Sequence, residues 1–278
     1  MTIPEIRNTN SHTQRAKSIK FVAAGALIAL AGASGFLFAT SPASAIGTAV
    51  DLGTAGSYSV LGGASVTNTG PSVLNKDLGV SPGTAITGFP PGLVNGTTHA
   101  ADAHALQAQS DLTIAYNAAA GQAPDASITG NLGGTTVVPG VYNSTSSMGL
   151  TGTLTLDAEG DPNAVFVFQV GSALTTATSS SVVLLNGAQG CNVFWQIGSS
   201  ATLGTNTTFV GNILALTSIT ADTGTTVDGR ALARNGSVTL DTNTFKGGPC
   251  VNVPTSTATS TPTSTATSPT STPTSTAT

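Results

Sequence analysis

Threonines that recur in one short pattern are the residues of this chain best placed to do chemistry. Four segments each consist of an apolar residue, a threonine, two variable residues and a second threonine, at residues 174–178, 201–205, 219–223 and 238–242. Stacked on one another, they form a first column of Thr175, Thr202, Thr220 and Thr239 and a second column of Thr178, Thr205, Thr223 and Thr242. A flat array of such stiff, β-branched side chains organises water at a surface.

The spacing of these segments predicts the fold that would stack them. The first threonines lie 27, 18 and 19 residues apart, and Thr155, 20 residues before Thr175, belongs to an earlier copy without a second threonine. A repeat of about 18–20 residues indicates a solenoid. Frequent glycine and asparagine between short β-branched runs indicate strands with tight turns. We therefore expect a mainly β protein, a right-handed β-solenoid rather than a sandwich.

Strand geometry divides each copy into inward and outward residues, because successive side chains of a strand point to opposite faces. The first threonine column points outward, and its neighbours along each strand point inward: Leu174, Ala201, Ile219, Val238, Thr176, Leu203, Ala221 and Leu240. Strict alternation turns the second column inward as well, so its exposure requires a bend or bulge at the corner. After the turn, the chain returns to the core at Val182, Phe209 and Val227.

One helix is predicted, and two apolar strands need it as a cover. Thr98 is a suitable N-cap, residues 99–120 are rich in alanine, leucine and glutamine, and Gly121 is a suitable stop. Residues 164–170 and 191–197 are nearly continuous apolar runs, typical of strands covered on both sides. The helix would be about 30 Å long, as tall as about six coils. We expect it along the solenoid, against Phe166, Phe168, Phe194 and Trp195.

The two ends of the chain differ from its centre in composition. A basic segment, an apolar run over residues 21–38 and a small-residue cleavage site predict a secretory signal peptide over residues 1–45, cut after Ala45. An uncleaved membrane anchor is the alternative. Residues 254–278 contain only threonine, serine, proline and alanine, which predicts a disordered tail. Residues 46–253 are then one domain of a secreted protein, free or attached to the cell surface.

The charge of this domain argues against nucleic-acid binding. Four lysines and arginines oppose eleven aspartates and glutamates within residues 46–253, which leaves a net charge of −7. No basic stripe is available for a phosphate backbone. The segment also lacks the motifs of a phosphate-binding loop or an activated nucleophile, so we predict no cofactor.

Catalysis is a weaker hypothesis than surface contact. Some β-solenoids cleave polysaccharides with charged residues on one face, and the candidates in this chain are Asp222, Asp228, Arg230 and Asp241. Asp228 and Arg230 follow the turn, which places them on a different face from Asp222. We expect Arg230 to bind Asp228 or a backbone carbonyl, and we predict no enzyme.

The histidines predict no metal site, and the cysteines predict a disulfide. His99 and His104 lie five residues apart on the predicted helix and so point to different sides. Cys191 and Cys250 are an even pair in an exported chain, which favours one disulfide that clips the C-terminal end onto the body. Two free, buried thiols are the alternative.

Short glycine-rich and aromatic motifs, taken in order, resemble those of a known family. They lie at residues 52–55, 58–62, 79–83, 88–92, 132–134, 139–142, 154–157, 164–168, 192–198 and 229–233. From about residue 50 to residue 245, the chain resembles the widespread microbial ice-binding proteins. The resemblance implies a triangular, discontinuous solenoid with a long helix beside it, in which N-terminal and C-terminal coils stack together. It also implies that one flat face with a Thr-x-x-Thr or Thr-x-x-Asn pattern contacts ice.

The threonine pattern and the resemblance agree on one function, and one alternative stays open. We expect a secreted, monomeric ice-binding protein that adsorbs to ice through the two threonine columns and Thr155 and inhibits ice growth or recrystallisation. The alternative is a cell-surface adhesin or matrix protein that binds polysaccharide and has no effect on ice. Low charge and a threonine-rich face suit both partners, so a binding measurement has to separate them.

Overall fold

The computed structural model describes residues 47–248 and residue 250. The predicted signal peptide and tail, and with them both predicted domain boundaries, lie outside these residues. In the part that the structure describes, no helix has the length and apolar character needed to cross a membrane.

Within the described residues, short strands precede and follow a single α-helix along the chain. The strands before the helix are β1 (Tyr58–Gly62), β2 (Ser65–Thr69), β3 (Val73–Leu74), β4 (Asp77–Val80), β5 (Ala85–Thr87), β6 (Leu93–Val94) and β7 (Thr98–Ala100). The helix α1 is Ala103–Ala120. The strands after it are β8 (Ala126–Ser127), β9 (Gly130–Asn131), β10 (Thr136–Val137), β11 (Gly140–Ser144), β12 (Met148–Leu150), β13 (Thr153–Asp157), β14 (Phe166–Val170), β15 (Leu174–Thr176), β16 (Ser181–Leu185), β17 (Val193–Ile197), β18 (Ala201–Leu203), β19 (Thr208–Ala215), β20 (Ile219–Ala221), β21 (Thr226–Ala233), β22 (Val238–Asp241) and β23 (Thr244–Phe245). Two 3-10 helices cover Gly53–Ser57 and Gly190–Asn192.

The strands form a three-sided β-solenoid of parallel strands. The threonine face is the sheet β5–β2–β22–β20–β18–β15–β12–β9. The helix face contains β7, β4, β1, the C-terminal halves of β21 and β19, β17, β14, β11 and β8. The third face contains β6, β3, β23, the N-terminal halves of β21 and β19, β16, β13 and β10. The predicted mainly β solenoid with one helix is confirmed.

The order of the coils in the stack differs from their order in the sequence. Strand β1 pairs with β21, where Val60 lies opposite Ala231, and β2 pairs with β22, where Thr67 lies opposite Thr239. The N-terminal coils therefore continue the stack directly beyond the C-terminal coil. This is the discontinuous arrangement that the resemblance implied.

The helix connects the two ends of this stack. It follows β7, at one end of the helix face, and leads to β8, at the other end. Eighteen helical residues span about 27 Å, and the eight strands of the threonine face span about 34 Å at the usual strand separation. The helix is therefore long enough to return the chain along most of the stack.

The inward residues of the repeat form the solenoid core. All of those predicted from the four threonine segments and the three return positions are buried. Tyr142, Phe168 and Trp195 lie opposite one another in adjacent strands, and their rings stack with centroids 5.6 and 4.0 Å apart. Phe209, from the third face, contacts Trp195 with its ring tilted and the centroids 5.0 Å apart. Such stacking adds to the free energy gained by burying the rings.

The helix packs against a different set of side chains from the predicted one. Phe194 lies beneath the helix as expected, together with Val165 and Val167. The prediction is wrong for the other aromatic residues, since the solenoid core contains Phe166, Phe168 and Trp195. Alternation along the apolar strands is the reason, because neighbouring side chains point to opposite sides of the sheet.

The helix also begins later than predicted. Thr98 and His99 lie in β7, which pairs with β4, and the N-cap is Asp102, whose Oδ1 accepts from the backbone N–H of Ala105 at 2.8 Å. Strand pairing takes precedence over helix propensity at residues 98–100, because it satisfies backbone groups at the end of the sheet. The predicted end at Ala120 is confirmed.

Polar side chains hold the helix at defined positions on its face. Gln109 Nε2 donates to the carbonyl of Ala233 at 3.0 Å, and the Tyr116 hydroxyl donates to the carbonyl of Ile197 at 3.2 Å. Near the helix end, Gln169 Nε2 donates to the carbonyl of Ala119 at 2.9 Å. These bonds satisfy buried groups that an apolar contact would leave unpaired.

The predicted disulfide is confirmed. Cys191 and Cys250 are bonded, with their Cα atoms 5.4 Å apart. Cys191 lies in the 3-10 helix Gly190–Asn192, before β17, and Cys250 follows the last strand. The bond joins the C-terminal end of the described chain to the solenoid.

Helix docking predicts a large difference between two substitutions on one helix. Leu112 is fully buried, whereas the Ile114 side chain is 64% exposed. We expect Leu112→Ala to lower the free energy of unfolding by about 2–5 kcal/mol, through lost burial and a residual cavity. Ile114→Ala, the matched control, should change it by less than about 0.5 kcal/mol. Urea unfolding followed by circular dichroism measures both, and equal effects would contradict the docking.

Removal of the disulfide should destabilise the domain without rearranging the coils. The bond closes a loop with a sequence separation of 59, which corresponds to about 4 kcal/mol in the chain-entropy model. We expect a Cys191→Ser, Cys250→Ser double variant to unfold at a clearly lower urea concentration, with an unchanged folded-state spectrum. An unchanged unfolding midpoint would show that the bond contributes no stability.

Candidate functional site: the threonine face

Parallel pairing places the first threonine column in adjacent strands. Thr175 lies opposite Thr202, Thr202 opposite Thr220, and Thr220 opposite Thr239. Neighbouring strands in a sheet are about 4.7–4.9 Å apart. The four side chains thus repeat along the stack at the strand spacing, as the sequence pattern predicted.

The column is longer than the sequence pattern indicated. Thr239 lies opposite Thr67 in β2, and Thr67 lies opposite Thr87 in β5. Six consecutive strands therefore carry a threonine at this position, and we call this set the ladder column. Its central members are Thr220 and Thr239, whereas the four segments alone would be centred on Thr202 and Thr220. At the other end the column continues as Gly149.

The sequence around Thr67 contains a shortened copy of the threonine pattern. Residues 66–69 read Val-Thr-Asn-Thr, with the second threonine one residue earlier than in the four segments. Thr87 follows Ile86 and precedes a glycine, and no second threonine follows it. Both positions lie more than 150 residues before Thr239 in the chain, so the repeat spacing could not connect them to it.

The hydroxyls of the ladder column are available to water. Thr67, Thr87, Thr175 and Thr239 are exposed, and Thr202 and Thr220 are partly exposed. Among the described residues, none of the six hydroxyls has a protein hydrogen-bond partner. By contrast, the inward Thr176 is buried, and its Oγ1 accepts from the N–H of Gly204 at 2.9 Å. Outward threonines therefore present both hydroxyl and methyl to solvent.

A bend at the corner turns the second column outward. Ser179 and Asn206 have φ values of 58° and 57°, in the left-handed region. The turns that contain them are bonded coil to coil, since Ser179 N–H donates to the carbonyl of Thr205 and Asn206 N–H donates to the carbonyl of Thr223. Thr178, Thr205 and Thr223 precede the left-handed position and are exposed or half-buried. We call these three threonines the corner column.

Thr242 does not continue the corner column. It has a φ of 53°, and its place in the turn is the left-handed position itself. Gly224 N–H donates to the carbonyl of Asp241, which therefore follows Thr223 in the column, and Thr242 N–H donates to the carbonyl of Thr69. The prediction failed at this position because the corner after β22 is one residue shorter than in the three preceding copies.

Asp241 is held by hydroxyls on both sides. Its Oδ2 accepts from the Thr223 hydroxyl, and its Oδ1 accepts from the Thr242 hydroxyl at 3.0 Å. The carboxylate thus orients two threonine side chains at the corner. Those two hydroxyls differ from the ladder column, whose hydroxyls have no such partner in the described part of the chain.

Thr155 lies on a different face from the one predicted. It belongs to β13, where it pairs with Thr136 of β10 and with Val183 of β16, and these strands form part of the third face. The place on the threonine face that it was expected to occupy belongs to Gly149 of β12. The segment predicted to be an earlier copy therefore lies on the face that follows the threonine face in its coil. The reason is the loop between β13 and β14, which makes this coil longer than the 18–20 residues of the repeat.

Serines line the opposite edge of the threonine face. In four of the six ladder strands a serine lies two residues before the threonine and therefore points to the same side of the sheet, and in the other two an alanine does. The serines are Ser65, Ser200, Ser218 and Ser237. Ser65 Oγ lies 2.7 Å from Ser237 Oγ, and Ser237 N–H donates to Ser218 Oγ at 3.2 Å. The face is thus polar and uncharged across its width, with carboxylates at the corner only.

Arg230, the one cation of the enzyme hypothesis, is used in structural contacts. Arg230 Nε donates to the carbonyl of Gly56 at 3.0 Å, and its Nη1 donates to Asn212 Oδ1 at 2.6 Å. The expected bond from Arg230 to a backbone carbonyl is therefore confirmed. Burial lowers the pKa of the Arg230 guanidinium, and the charge of Asp228 opposes that shift.

The two histidines lie together, contrary to the prediction. His99 is in β7 rather than on the helix, and its ring stacks on that of His104 with the centroids 4.4 Å apart. His99 Nδ1 lies 2.7 Å from Asp102 Oδ2, and His104 Nδ1 lies 2.6 Å from the Tyr58 hydroxyl. The N–H of Ala105 and the His99 contact lower the pKa of Asp102. In the described residues, no group of three or more potential ligands could hold a metal ion.

Adjacent threonines provide a test of the inward and outward assignment. Thr176→Val removes the hydroxyl that accepts from Gly204 N–H and pairs with Thr207 Oγ1, and leaving a buried donor unpaired costs about 1–3 kcal/mol. Thr175→Val, the matched control, removes an exposed hydroxyl and should leave the free energy of unfolding within about 0.5 kcal/mol. Chemical denaturation compares the two variants. The reverse order of stabilities would refute the assignment.

Comparisons with known proteins agree with this geometry. The model of a family described as ice-binding-like matches residues 60–246. An ice-binding protein of Nostoc sp. (strain HG1) is 62% identical over 194 residues, which cover 69% of this chain and 72% of the relative. An ice-binding protein of Colwellia sp. is 35% identical over 240 residues, which cover 80% of this chain and 90% of the relative.

Solved structures give the same result. An ice-binding protein from an Antarctic biological consortium has a TM-score of 0.71 and 52% identity, covering 72% of this chain and 91% of that one. An ice-binding protein of the Antarctic ascomycete Antarctomyces psychrotrophicus has a TM-score of 0.71 and 45% identity, covering 73% of this chain and all of that one. With a family match over most of the solenoid and relatives of this similarity, the chain belongs to the ice-binding-like family.

Proposed function

We propose that the protein binds ice and does so through the threonine face, with the ladder column as the principal contact. One observation carries the assignment: six consecutive strands present an outward threonine in register. Over five strand intervals the column is about 24 Å long. The function of the relatives named above supports ice as the partner.

The ladder can hold water in an ordered array before it meets ice. The strand spacing of about 4.7–4.9 Å is close to a repeat of the ice lattice. β-branched threonine has few side-chain rotamers, so hydroxyls and methyls on a hydrogen-bonded sheet stay in place. The entropy cost of ordering the surface has then been met when the protein folds, which leaves more of the contact energy for adsorption.

The corner column and the serine edge extend the same surface. Thr178, Thr205 and Thr223 border the ladder on one side, and the serine row borders it on the other. Thr242 and Thr155 are not assigned to it, because they lie at the left-handed turn position and on the third face. The role proposed for the face is adsorption without a catalytic step.

The sequence also supports proposals about the setting in which the protein works. The signal peptide predicted over residues 1–45 supports export, and the predicted tail over residues 254–278 supports a position at or outside the cell surface. We propose that the exported protein acts as a monomer, because one molecule carries the whole ladder column.

Replacement of a central ladder threonine tests the proposed function. Thr239→Tyr puts a bulky ring on the flat face at an exposed position, so the sheet can no longer lie flush on a planar lattice. We expect the concentration needed to inhibit ice recrystallisation to rise by about tenfold or more, which equals a loss of at least about 1.4 kcal/mol of adsorption free energy. The thermal unfolding midpoint should stay unchanged, because the side chain points outward.

The control places the same ring on another surface. Ser110 is an exposed residue of the helix, and Ser110→Tyr should keep the parent's full activity. Full activity of the Thr239→Tyr variant would show that the protein contacts ice through another face. If the parent protein leaves ice growth unchanged but is retained on insoluble glycans, the ice-binding proposal is refuted and the polysaccharide-binding hypothesis is supported.

A further inference from the structure

A further column of hydroxyl residues, separate from the ladder and corner columns, runs along the third face. Its members lie opposite one another in adjacent strands: Thr153, Ser181, Thr208, Thr226 and Thr244. We call this set the third-face column. It repeats at the same strand spacing as the ladder column, and four of its five members lie in coils that also carry a ladder threonine. Beyond Thr244 the position becomes apolar, with Val73 and then Leu93.

The central hydroxyls of the third-face column face solvent without protein partners. Thr208 is exposed, and Thr226 and Thr244 are partly exposed. In the described part of the chain, none of these three hydroxyls forms a protein hydrogen bond, whereas Thr153 and Ser181 bond to each other at 2.9 Å. The outward threonines of this column therefore have the same free hydroxyl and methyl groups as the ladder.

The residues that precede the column are bonded inside the solenoid. Thr207 Oγ1 lies 2.9 Å from Thr176 Oγ1, Thr225 Oγ1 donates to the carbonyl of Gly204 at 3.2 Å, and Asn243 Nδ2 donates to the carbonyl of Asp222 at 2.8 Å. Each pair of adjacent polar residues thus contains one side chain that supports the corner and one that is free. The supporting bonds hold the outward side chains in a rigid row.

Exposed apolar side chains accompany the column on its own sheet. Val183 and Leu185 of β16 are 45% and 46% exposed, and alternation along the strand puts them on the same side of the sheet as Ser181. Together with the threonine methyls, they give this part of the face a mixed apolar and hydroxyl character.

We propose that the third face is a second ice-contacting surface, centred on Thr208, Thr226 and Thr244, and that it contacts a different crystal plane from the ladder column. This inference rests on the proposed function, because the same ligand and the same kind of contact are involved. The two faces meet at the corner column, so they cannot both lie flat on one plane. A molecule that adsorbs through one face leaves the other free for a second plane of the growing crystal.

Binding of the labelled full chain to a single-crystal ice hemisphere tests the proposal. The parent should label two sets of planes. Thr208→Tyr, at the exposed centre of the third-face column, should remove one set, and Thr239→Tyr should remove the other. The double variant should label none, and Ser110→Tyr should label both. Thr208→Val provides a second variant without added bulk. We expect it to weaken the labelling of the same set of planes that Thr208→Tyr removes.

The outcomes separate this inference from the proposed function. A Thr208→Tyr variant that is folded and labels the same planes as the parent would overturn the second surface and leave ice binding by the ladder intact. Loss of all labelling in Thr239→Tyr alone would also overturn it. A parent that labels no plane would refute the proposed function, and the second surface with it.

Discussion

In-register parallel pairing between coils is the constraint on which the rest of this structure depends. Each strand bonds to the equivalent strand of the next coil, so residues at one position of the repeat lie in a row. The same pairing stacks Tyr142, Phe168 and Trp195 in the core and places the outward threonines in a ladder. A single slip of one residue would exchange inward and outward side chains. The buried aliphatic and aromatic residues therefore maintain the geometry of the exposed threonines.

The discontinuous order of the coils determines the size of the threonine face. Without the two N-terminal coils, the ladder column would end at Thr239 and would contain four threonines instead of six. The helix makes this order feasible, because it carries the chain from one end of the stack to the other. Its contacts on the helix face, including Leu112 and the bonds of Gln109 and Tyr116, hold the connection against the strands. Packing of the helix and completion of the ladder are thus linked.

Hydrogen bonding divides the polar residues of the solenoid into two classes. Inward and corner-supporting groups such as Thr176, Thr207 and Asn243 bond within the protein, as buried polar groups must to avoid a desolvation cost. The six ladder threonines, and Thr208, Thr226 and Thr244 of the third-face column, have no such partners in the described residues and present a repeating surface to water. A polar residue that is bonded stabilises the fold, and one that is free is available for contact with a ligand.

Much of this molecule follows from the sequence alone. The period of the four segments determined the solenoid, strand alternation determined which neighbours of Thr175 and its equivalents are buried, and the cysteine pair determined the disulfide. Tertiary structure decided the remainder. Thr67 and Thr87 join the ladder through pairing between the two ends of the chain, Thr242 leaves the corner column through a one-residue change in turn length, and Thr155 lies on another face because of a long loop. His99 and His104 stack because strand pairing delays the start of the helix. In each case the deciding factor is a contact between distant residues or the number of residues in a turn or loop. The spacing of residues within one repeat predicts neither of them.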